Sequence, residues 1–121
     1  MIYLASPYSH PDPKMRELRF VNACEMAGAI LRSGRMVFSP IAHSHPIVTH
    51  SMVEMDGSFD AWVEWDRWFI ERCDELWVLT LTGWQQSVGV QAECDIARSL
   101  GKPLRFIAEG SAVPSVGLWA E

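Results

Sequence analysis

Short apolar runs alternate with longer stretches of helical periodicity along this chain, and no other feature constrains the fold as strongly. The apolar runs, which we predict to be β-strands, are residues 1–5, 36–38, 76–80 and 104–108. The helical stretches are residues 14–33, 60–73 and 87–100. Strands and helices in alternation build a parallel sheet whose faces are covered by helices. We therefore predict an α/β fold, a three-layer Rossmann-like domain with a small parallel sheet of four to five strands and helices on both faces.

The composition indicates one globular domain with a small ligand rather than a polymer as its partner. Apolar residues make up 49% of the 121 residues and charged residues 21%, which suits a single core, so we predict one domain over residues 1–121. The net charge is −5. Because grip on a nucleic-acid backbone comes from clustered Lys and Arg, we expect no nucleic-acid polymer as partner, while a nucleotide-sized ligand remains possible.

The cysteines and the hydropathy pattern bear on location. Cys24, Cys73 and Cys94 lie far apart within apolar helical patterns, a spacing that suggests neither a disulfide framework nor a zinc ribbon. No apolar run approaches the ~18 residues of a membrane span, and no leader pattern precedes the first strand. We expect buried thiols in a reducing compartment, a cytoplasmic location and no membrane partner.

Residues 83–103 hold the strongest functional signal. The strand predicted at 76–80 leads into a glycine-containing loop, and a helix begins near Ser87 and stops at Gly101. In open α/β sheets, ligands bind where the strands end and the following helices begin, and the free N–H groups there attract anions. The residues that we expect on the apolar face of this helix are Val88, Ala92, Ile96 and Leu100.

Glu93 is the candidate reactive group of this segment. A helical side chain leans back over the residue four positions earlier, which here is Gly89, so we expect Glu93 to point into open space. On spacing alone, an ordinary solvated glutamate and a packing glycine are the favoured explanation of the pattern.

Three stretches resemble the nucleoside 2-deoxyribosyltransferase superfamily, which includes the 2'-deoxynucleoside 5'-phosphate N-hydrolases. The spacing Ser87-x-Gly89-x-x-x-Glu93 is similar to the catalytic segment of that superfamily. Residues 2–9 resemble its first strand and substrate loop, and Asp66 matches its second acidic position. The wider pattern, with Ala-Ser-Pro-Tyr-Ser-His at the front and Ser-Pro-Ile-Ala-His-Ser-His in the middle, resembles a group of small bacterial and phage proteins assigned to the same superfamily.

The resemblance implies a role for each matching residue. Glu93 would be the nucleophile that attacks the anomeric carbon, and Asp66 the general acid or the group that positions the base. The implied substrate-binding residues are Ser6, Tyr8, Ser9, Ser87 and Gly89. At position 87 the transferases that take unphosphorylated nucleosides often carry Asp, whereas the nucleotide N-hydrolases carry Ser. Ser87 therefore favours a ligand with a 5'-phosphate, which an Asp would repel.

The predicted function is cleavage or transfer of the N-glycosidic bond of a nucleoside 5'-monophosphate or a related nucleotide. The resemblance further implies a flavodoxin-like sheet order, no cofactor, and a homo-oligomer, a dimer or tetramer, whose subunits complete each other's sites. A non-catalytic nucleotide-binding module is the main alternative. A third is a metal-dependent hydrolase that uses His43, His45 and His50, although their spacing fits no standard zinc motif and we expect no metal.

Two further segments leave alternatives open. We expect the histidine-containing residues 39–50 to be a loop in which His43 or His45 borders the pocket or an oligomer contact, and residues 52–59 to be a lid or crossing loop. The rings of the helix at 60–73 cannot all lie on one narrow stripe, so some face a ligand or a partner subunit rather than the core. These rings are Trp62, Trp65, Trp68 and Phe69.

Overall fold

Four parallel strands form the sheet, in the order β2-β1-β3-β4. The computed structural model describes residues 1–52 and 61–116. The strands are β1 (Ile2–Ala5), β2 (Val37–Phe38), β3 (Glu75–Leu79) and β4 (Leu104–Ile107). The helices are α1 (Pro13–Arg32), α2 (Pro40–Ser51), α3 (Ala61–Arg72) and α4 (Val88–Ser99). A 3₁₀ turn, Trp84–Gln86, precedes α4.

The central strand β1 is buried along its whole length because helices cover both faces of the sheet. Its side chains alternate between two apolar clusters. Tyr3 and Ala5 belong to the cluster that includes residues of α3 and α4. Ile2 and Leu4 belong to the cluster that includes residues of α1. This arrangement confirms the predicted three-layer, Rossmann-like α/β fold.

The prediction of a loop at residues 39–50 is wrong, because helix α2 occupies that segment. Ser39 caps the helix by accepting a hydrogen bond from the N–H of Ala42 at 3.2 Å, and Pro40 takes the first helical position, where its missing N–H costs nothing. Pro46 lies inside the helix and made the segment look like a loop. The lid predicted for residues 52–59 falls almost entirely outside the described residues.

The apolar face predicted for α4 is wrong except at Ile96, which is buried. Val88 and Leu100 are 84% and 42% exposed, whereas Val90, Glu93 and Cys94 are buried. Packing against the sheet selects the face that carries Val90 and Cys94, and Glu93 lies next to it. The rotation of the helix therefore directs Glu93 inward.

The segment after β4 returns across the end of α1. The N–H of Val116 donates to the carbonyl of Ser33 at 2.8 Å, and the Arg35 guanidinium donates to the carbonyl of Pro114 at 2.6 Å. Val113 packs against the apolar cluster under α1. This part of the tail thus lies on its own domain. Among the described residues, no helix combines the length and apolar character needed to cross a bilayer.

Candidate active site

A cleft of about 680 Å³ opens beside the carboxyl ends of β1 and β3. It is lined by all the residues that the sequence singles out for the site, which are Ser6, Tyr8, Ser9, Asp66, Ser87, Gly89 and Glu93. They come from the loop after β1, from α3 and from the start of α4. Parallel strands that end together bring these separate segments to one edge of the sheet.

Glu93 points toward the sheet and not into open space. Its side chain is 7% exposed and accepts a hydrogen bond from the hydroxyl of Tyr3, in the central strand. A buried carboxyl and a buried phenol each need a polar partner, and here they provide it for each other. Glu93 also lines the cleft. Its carboxyl group is therefore held by Tyr3 on the side of the sheet and is accessible to a ligand on the side of the cleft.

Asp66 approaches the same hydroxyl from α3. The interactions of Tyr3 include side-chain hydrogen bonds to both Asp66 and Glu93. The phenol carries one hydrogen, so it can donate that hydrogen to only one of the two carboxylates at a time. The arrangement therefore suits one protonated and one ionised carboxyl group.

Burial changes the acidity of all three groups. Desolvation raises the pKa of Asp66 to about 6, and the hydrogen bond with Tyr3 opposes that rise. Desolvation and then the charge of Asp66 raise the pKa of Glu93 to about 8, again against the Tyr3 hydrogen bond. Burial also raises the pKa of Tyr3 well above its usual range. The two carboxyls act as one coupled pair, which holds a single proton between those two values.

The beginning of α4 forms another wall of the cleft. Ser87 is the N-cap residue, and its hydroxyl oxygen accepts from the N–H of Val90 at 3.2 Å. A Cβ atom added to Gly89 would meet only the Ser87 oxygen, at 3.9 Å. The space in front of this helix terminus is therefore open to a ligand, and the terminus attracts negative charge.

Arg19 of α1 also belongs to the cleft. Its guanidinium donates to the carbonyl of Ser9 at 2.9 Å and to the carbonyl of Thr82 at 3.2 Å, and so ties the loops after β1 and β3 together. It also lines the cleft. A positive charge therefore lies beside the space that the α4 terminus faces.

The loop after β1 supplies further polar atoms to the cleft. The Ser6 hydroxyl is buried, lines the cleft and has no hydrogen-bond partner in the part of the chain that the structure describes. Buried polar atoms rarely stay unpaired, so this one is suited to a ligand or a water molecule. The Tyr8 hydroxyl is hydrogen-bonded to Nδ1 of His45 at 2.6 Å.

The histidines of α2 do not converge on a common point. His43 is exposed and stacks on Trp65 with ring centroids 5.2 Å apart, whereas His45 is buried between Tyr8 and Glu17. His50 lies two helical turns from His43, about 10 Å along the axis. Within residues 1–52 and 61–116, no three side chains of the metal-binding types form a group that could hold an ion. The hypothesis of a metal site built from the histidines of α2 is therefore wrong.

The rings of α3 divide among three surroundings, as their spacing predicts. Phe69 stacks on Phe38 in the core at 3.9 Å between centroids, while Trp62 and Trp65 line the cleft. Trp68 is 51% exposed, with the guanidinium of Arg72 3.7 Å from its ring centroid. The cleft thus has an aromatic wall on the α3 side.

Tyr3 and Glu17 are not among the site residues predicted from the sequence. One signal for Tyr3 was present, since a tyrosine in a strand buried on both faces must find a partner for its hydroxyl. No comparable signal existed for Glu17, because the contact with His45 joins two helices that the sequence alone does not place side by side.

The comparison with family models gives one match. The family described as a domain of unknown function, DUF1937, matches residues 1–109, and the chain belongs to that family. A search of curated proteins finds no match to the chain.

Proposed function

We propose that this member of the DUF1937 family cleaves or transfers the N-glycosidic bond of a nucleoside 5'-monophosphate. The observation that carries the proposal is the meeting of Glu93 and Asp66 at the hydroxyl of Tyr3, on the wall of a cleft of about 680 Å³. Cleavage of an N-glycosidic bond develops positive charge on the sugar and negative charge on the base. A pair of carboxyl groups that holds one proton can stabilise both charges, because the ionised group faces the positive sugar and the protonated group can donate to the base.

In the proposed first step, the ionised carboxylate of Glu93 attacks the anomeric carbon and the carbon–nitrogen bond breaks. The bonding electrons leave with the base, which takes up a proton from Asp66. In the second step, Asp66, now ionised, takes a proton from water as the water oxygen attacks the anomeric carbon; the ester bond breaks, which releases the sugar phosphate and restores both Glu93 and the protonated Asp66. A second base that loses its N–H proton to Asp66 in place of water gives transfer. The resemblance to the nucleoside 2-deoxyribosyltransferase superfamily supports this assignment of the two roles.

The protonation state is part of the proposal. In the empty cleft burial keeps a proton on Glu93 at neutral pH, since its pKa is about 8. Positive charge that develops on the sugar favours the ionised form of Glu93, and the hydrogen bond from Tyr3 acts in the same direction. The proton then resides on Asp66, where the leaving base requires it.

A 5'-phosphate fits the charges at the other end of the cleft. Ser87 and Gly89 form the amino end of α4, where the helix dipole favours an anion, and Arg19 lies nearby on the same cleft. Trp62 and Trp65 provide flat apolar faces for a base. Phosphate, sugar and base each have a complementary surface, without a metal or cofactor in the proposed steps.

The test is base release, followed by chromatography, from a panel of deoxyribonucleoside and ribonucleoside 5'-monophosphates and the matching nucleosides. We expect release from monophosphates, little from nucleosides, and none with Glu93→Gln. Asp95→Asn is the matched control, because Asp95 lies on the same helix, is 76% exposed and pairs only with Arg98 among the described residues. Equal release by wild type and Glu93→Gln would remove Glu93 from the mechanism.

A nucleotide-binding module without catalysis is the second candidate. The raised pKa of Glu93 favours it, because a neutral carboxylic acid is a poor nucleophile. Tight binding of a monophosphate by wild type, with the same affinity in Glu93→Gln and no base release from any member of the panel, would support this candidate over the enzyme.

The proposal includes a homo-oligomer in the cytoplasm, with neighbouring subunits close to the cleft. Val88 lies on the rim of the cleft with 84% of its surface exposed, and Phe106 on the edge strand β4 is 52% exposed. Exposed apolar side chains of this size are typical of surfaces that meet a partner. Sedimentation velocity should show a dimer or tetramer; a monomer at all concentrations would contradict this part.

A further inference from the structure

Three side chains form a hydrogen-bonded chain that begins at the cleft and ends at the surface. The Tyr8 hydroxyl lies 2.6 Å from Nδ1 of His45, and Nε2 of the same ring lies 2.7 Å from the carboxylate of Glu17. Tyr8 lines the cleft, His45 is 6% exposed and Glu17 is 60% exposed. The mechanism proposed above uses neither His45 nor Glu17.

For the neutral form of His45, the order of the three groups fixes the direction of each hydrogen bond. A carboxylate can only accept, so Nε2 of His45 carries a proton and donates it to Glu17. In a neutral imidazole Nδ1 is then bare and accepts the hydroxyl hydrogen of Tyr8. With its hydrogen committed to His45, the Tyr8 oxygen can act toward any other group only as an acceptor.

Packing holds this chain in place. The ring of His45 stacks on Phe20 of α1 with centroids 4.4 Å apart, and the ring of Tyr8 meets it edge-on at 5.5 Å. A ring buried in this way has little freedom to turn, so the carboxylate sets its tautomer and the tautomer sets the direction of the Tyr8 hydroxyl. His45 and Glu17 thus hold the hydroxyl in place, and Tyr8 is the member of the chain that lines the cleft.

We propose that the Glu17–His45–Tyr8 chain makes Tyr8 a fixed hydrogen-bond acceptor that selects ligands with a neutral hydrogen-bond donor, a sugar hydroxyl or an amino group of the base. This inference rests on the proposed function, since it names the ligand group that the same cleft distinguishes. The Ser6 hydroxyl supports it independently. It is buried in the same cleft two residues before Tyr8, and it has no partner within the described ranges, so this loop has polar capacity that its own contacts leave unused.

The test is a matrix of protein variants against ligands. Binding of a deoxyribonucleoside 5'-monophosphate, its 3'-deoxy analogue and an analogue without the amino group of the base is measured by calorimetry with wild type and Tyr8→Phe. The phenylalanine keeps the ring and its edge contact with His45 but removes the oxygen. We expect Tyr8→Phe to weaken binding about tenfold for the ligand that carries the donor, and to leave the analogue that lacks it unchanged.

The two analogues separate the two sources of the donor. If the 3'-deoxy analogue is the insensitive one, the donor is the sugar hydroxyl; if the analogue without the amino group is insensitive, it is the base. An equal loss for all three ligands would overturn the proposal while leaving the proposed function intact. Failure of every monophosphate to bind wild type would overturn both.

The positioning residues have their own control. Glu17→Ala should reduce the discrimination between donor and non-donor ligands, and Glu17→Gln should restore most of it, because the amide oxygen can still accept from Nε2. Glu25→Gln, which changes another exposed carboxylate of α1, should leave the discrimination as in wild type. Melting temperatures confirm that each variant is folded. If Glu17→Ala lowered the melting temperature but left the discrimination unchanged, the contact would be structural only.

Discussion

The hydroxyl of Tyr3 in the first strand donates a hydrogen bond to the carboxylate of Glu93, 90 residues later in the chain. The contact joins the centre of the sheet to the helix that follows β3, and Asp66 approaches the same hydroxyl from α3. Three elements thus share a polar contact at the wall of the cleft, amid apolar packing. This relationship gives the following expectations for stability and activity.

Replacing Glu93 with Gln should stabilise the protein at alkaline pH. The pKa of Glu93 rises from 4.5 to about 8 on folding. In that interval the folded state holds a proton that the unfolded state has lost, so the stability of wild type falls as pH rises from 4.5 to about 8. Gln carries no such penalty and can still accept from Tyr3.

We expect Glu93→Gln to gain on the order of 2 kcal/mol over wild type at pH 8, and little at pH 5, because a tenfold change in proton affinity corresponds to about 1.4 kcal/mol. Urea unfolding at both pH values measures the difference. Asp95→Asn, on the exposed side of α4, should show no such pH-dependent gain. Equal stability of wild type and Glu93→Gln at pH 8 would mean that Glu93 is not desolvated.

The pH dependence of base release should be bell-shaped. The reactive form holds one proton on the coupled carboxyl pair, and that form is dominant between the pKa of about 6 and the pKa of about 8. The rate constant kcat/KM should therefore fall on both sides of neutral pH. In Asp66→Asn the alkaline limb should disappear, since that limb reports loss of the proton that the leaving base needs. A profile that rises steadily to pH 9 would contradict a shared proton.

Tyr3→Phe should reduce activity and move the acidic limb. The Tyr3 hydrogen bond lowers the pKa of both Asp66 and Glu93, so without it ionisation of the pair requires a higher pH. We expect kcat to fall about 10-fold to 100-fold at pH 7, with the acidic limb displaced upward and the melting temperature close to wild type. Loss of kcat without movement of the limb would show that the Tyr3 hydroxyl does not set the ionisation of the carboxyl pair.

Gly89→Ala should separate folding from binding. A Cβ at Gly89 meets only the Ser87 oxygen at 3.9 Å, so the fold accepts it, and an alanine in a helix is more favourable than a glycine by up to ~1 kcal/mol. The added methyl group would occupy the space in front of the amino end of α4, where we place the phosphate.

We therefore expect Gly89→Ala to be at least as stable as wild type and to bind monophosphates about tenfold more weakly or worse. Gly28→Ala is the matched control, since its Cβ would meet only the flexible end of Arg32 at 3.4 Å, in a different helix. It should keep wild-type binding. If Gly89→Ala bound monophosphates as well as wild type, the phosphate would not lie at this helix terminus.

Much of the architecture was present in the sequence because it depends on local patterns. The alternation of apolar runs with helical stretches gave the parallel α/β fold, and glycine and proline marked where helices stop. The loop predicted at residues 39–50 was wrong for a physical reason. Residues 40–51 contain Pro46 and few apolar repeats, yet Ser39 and Pro40 begin a helix there, and contacts of α2 with α1 sustain it.

The order of residues along the chain determined which chemistry was available, and only the tertiary structure decided which groups meet. Spacing could bring Ser87, Gly89 and Glu93 together because they share one helix terminus. It could not set the rotation of α4, which depends on the fit of Val90 and Cys94 against the sheet, nor the contact of Glu93 with Tyr3. The Glu17–His45–Tyr8 chain likewise joins three separate segments. Such contacts depend on how buried surfaces pack and on the need of each buried polar atom for a partner.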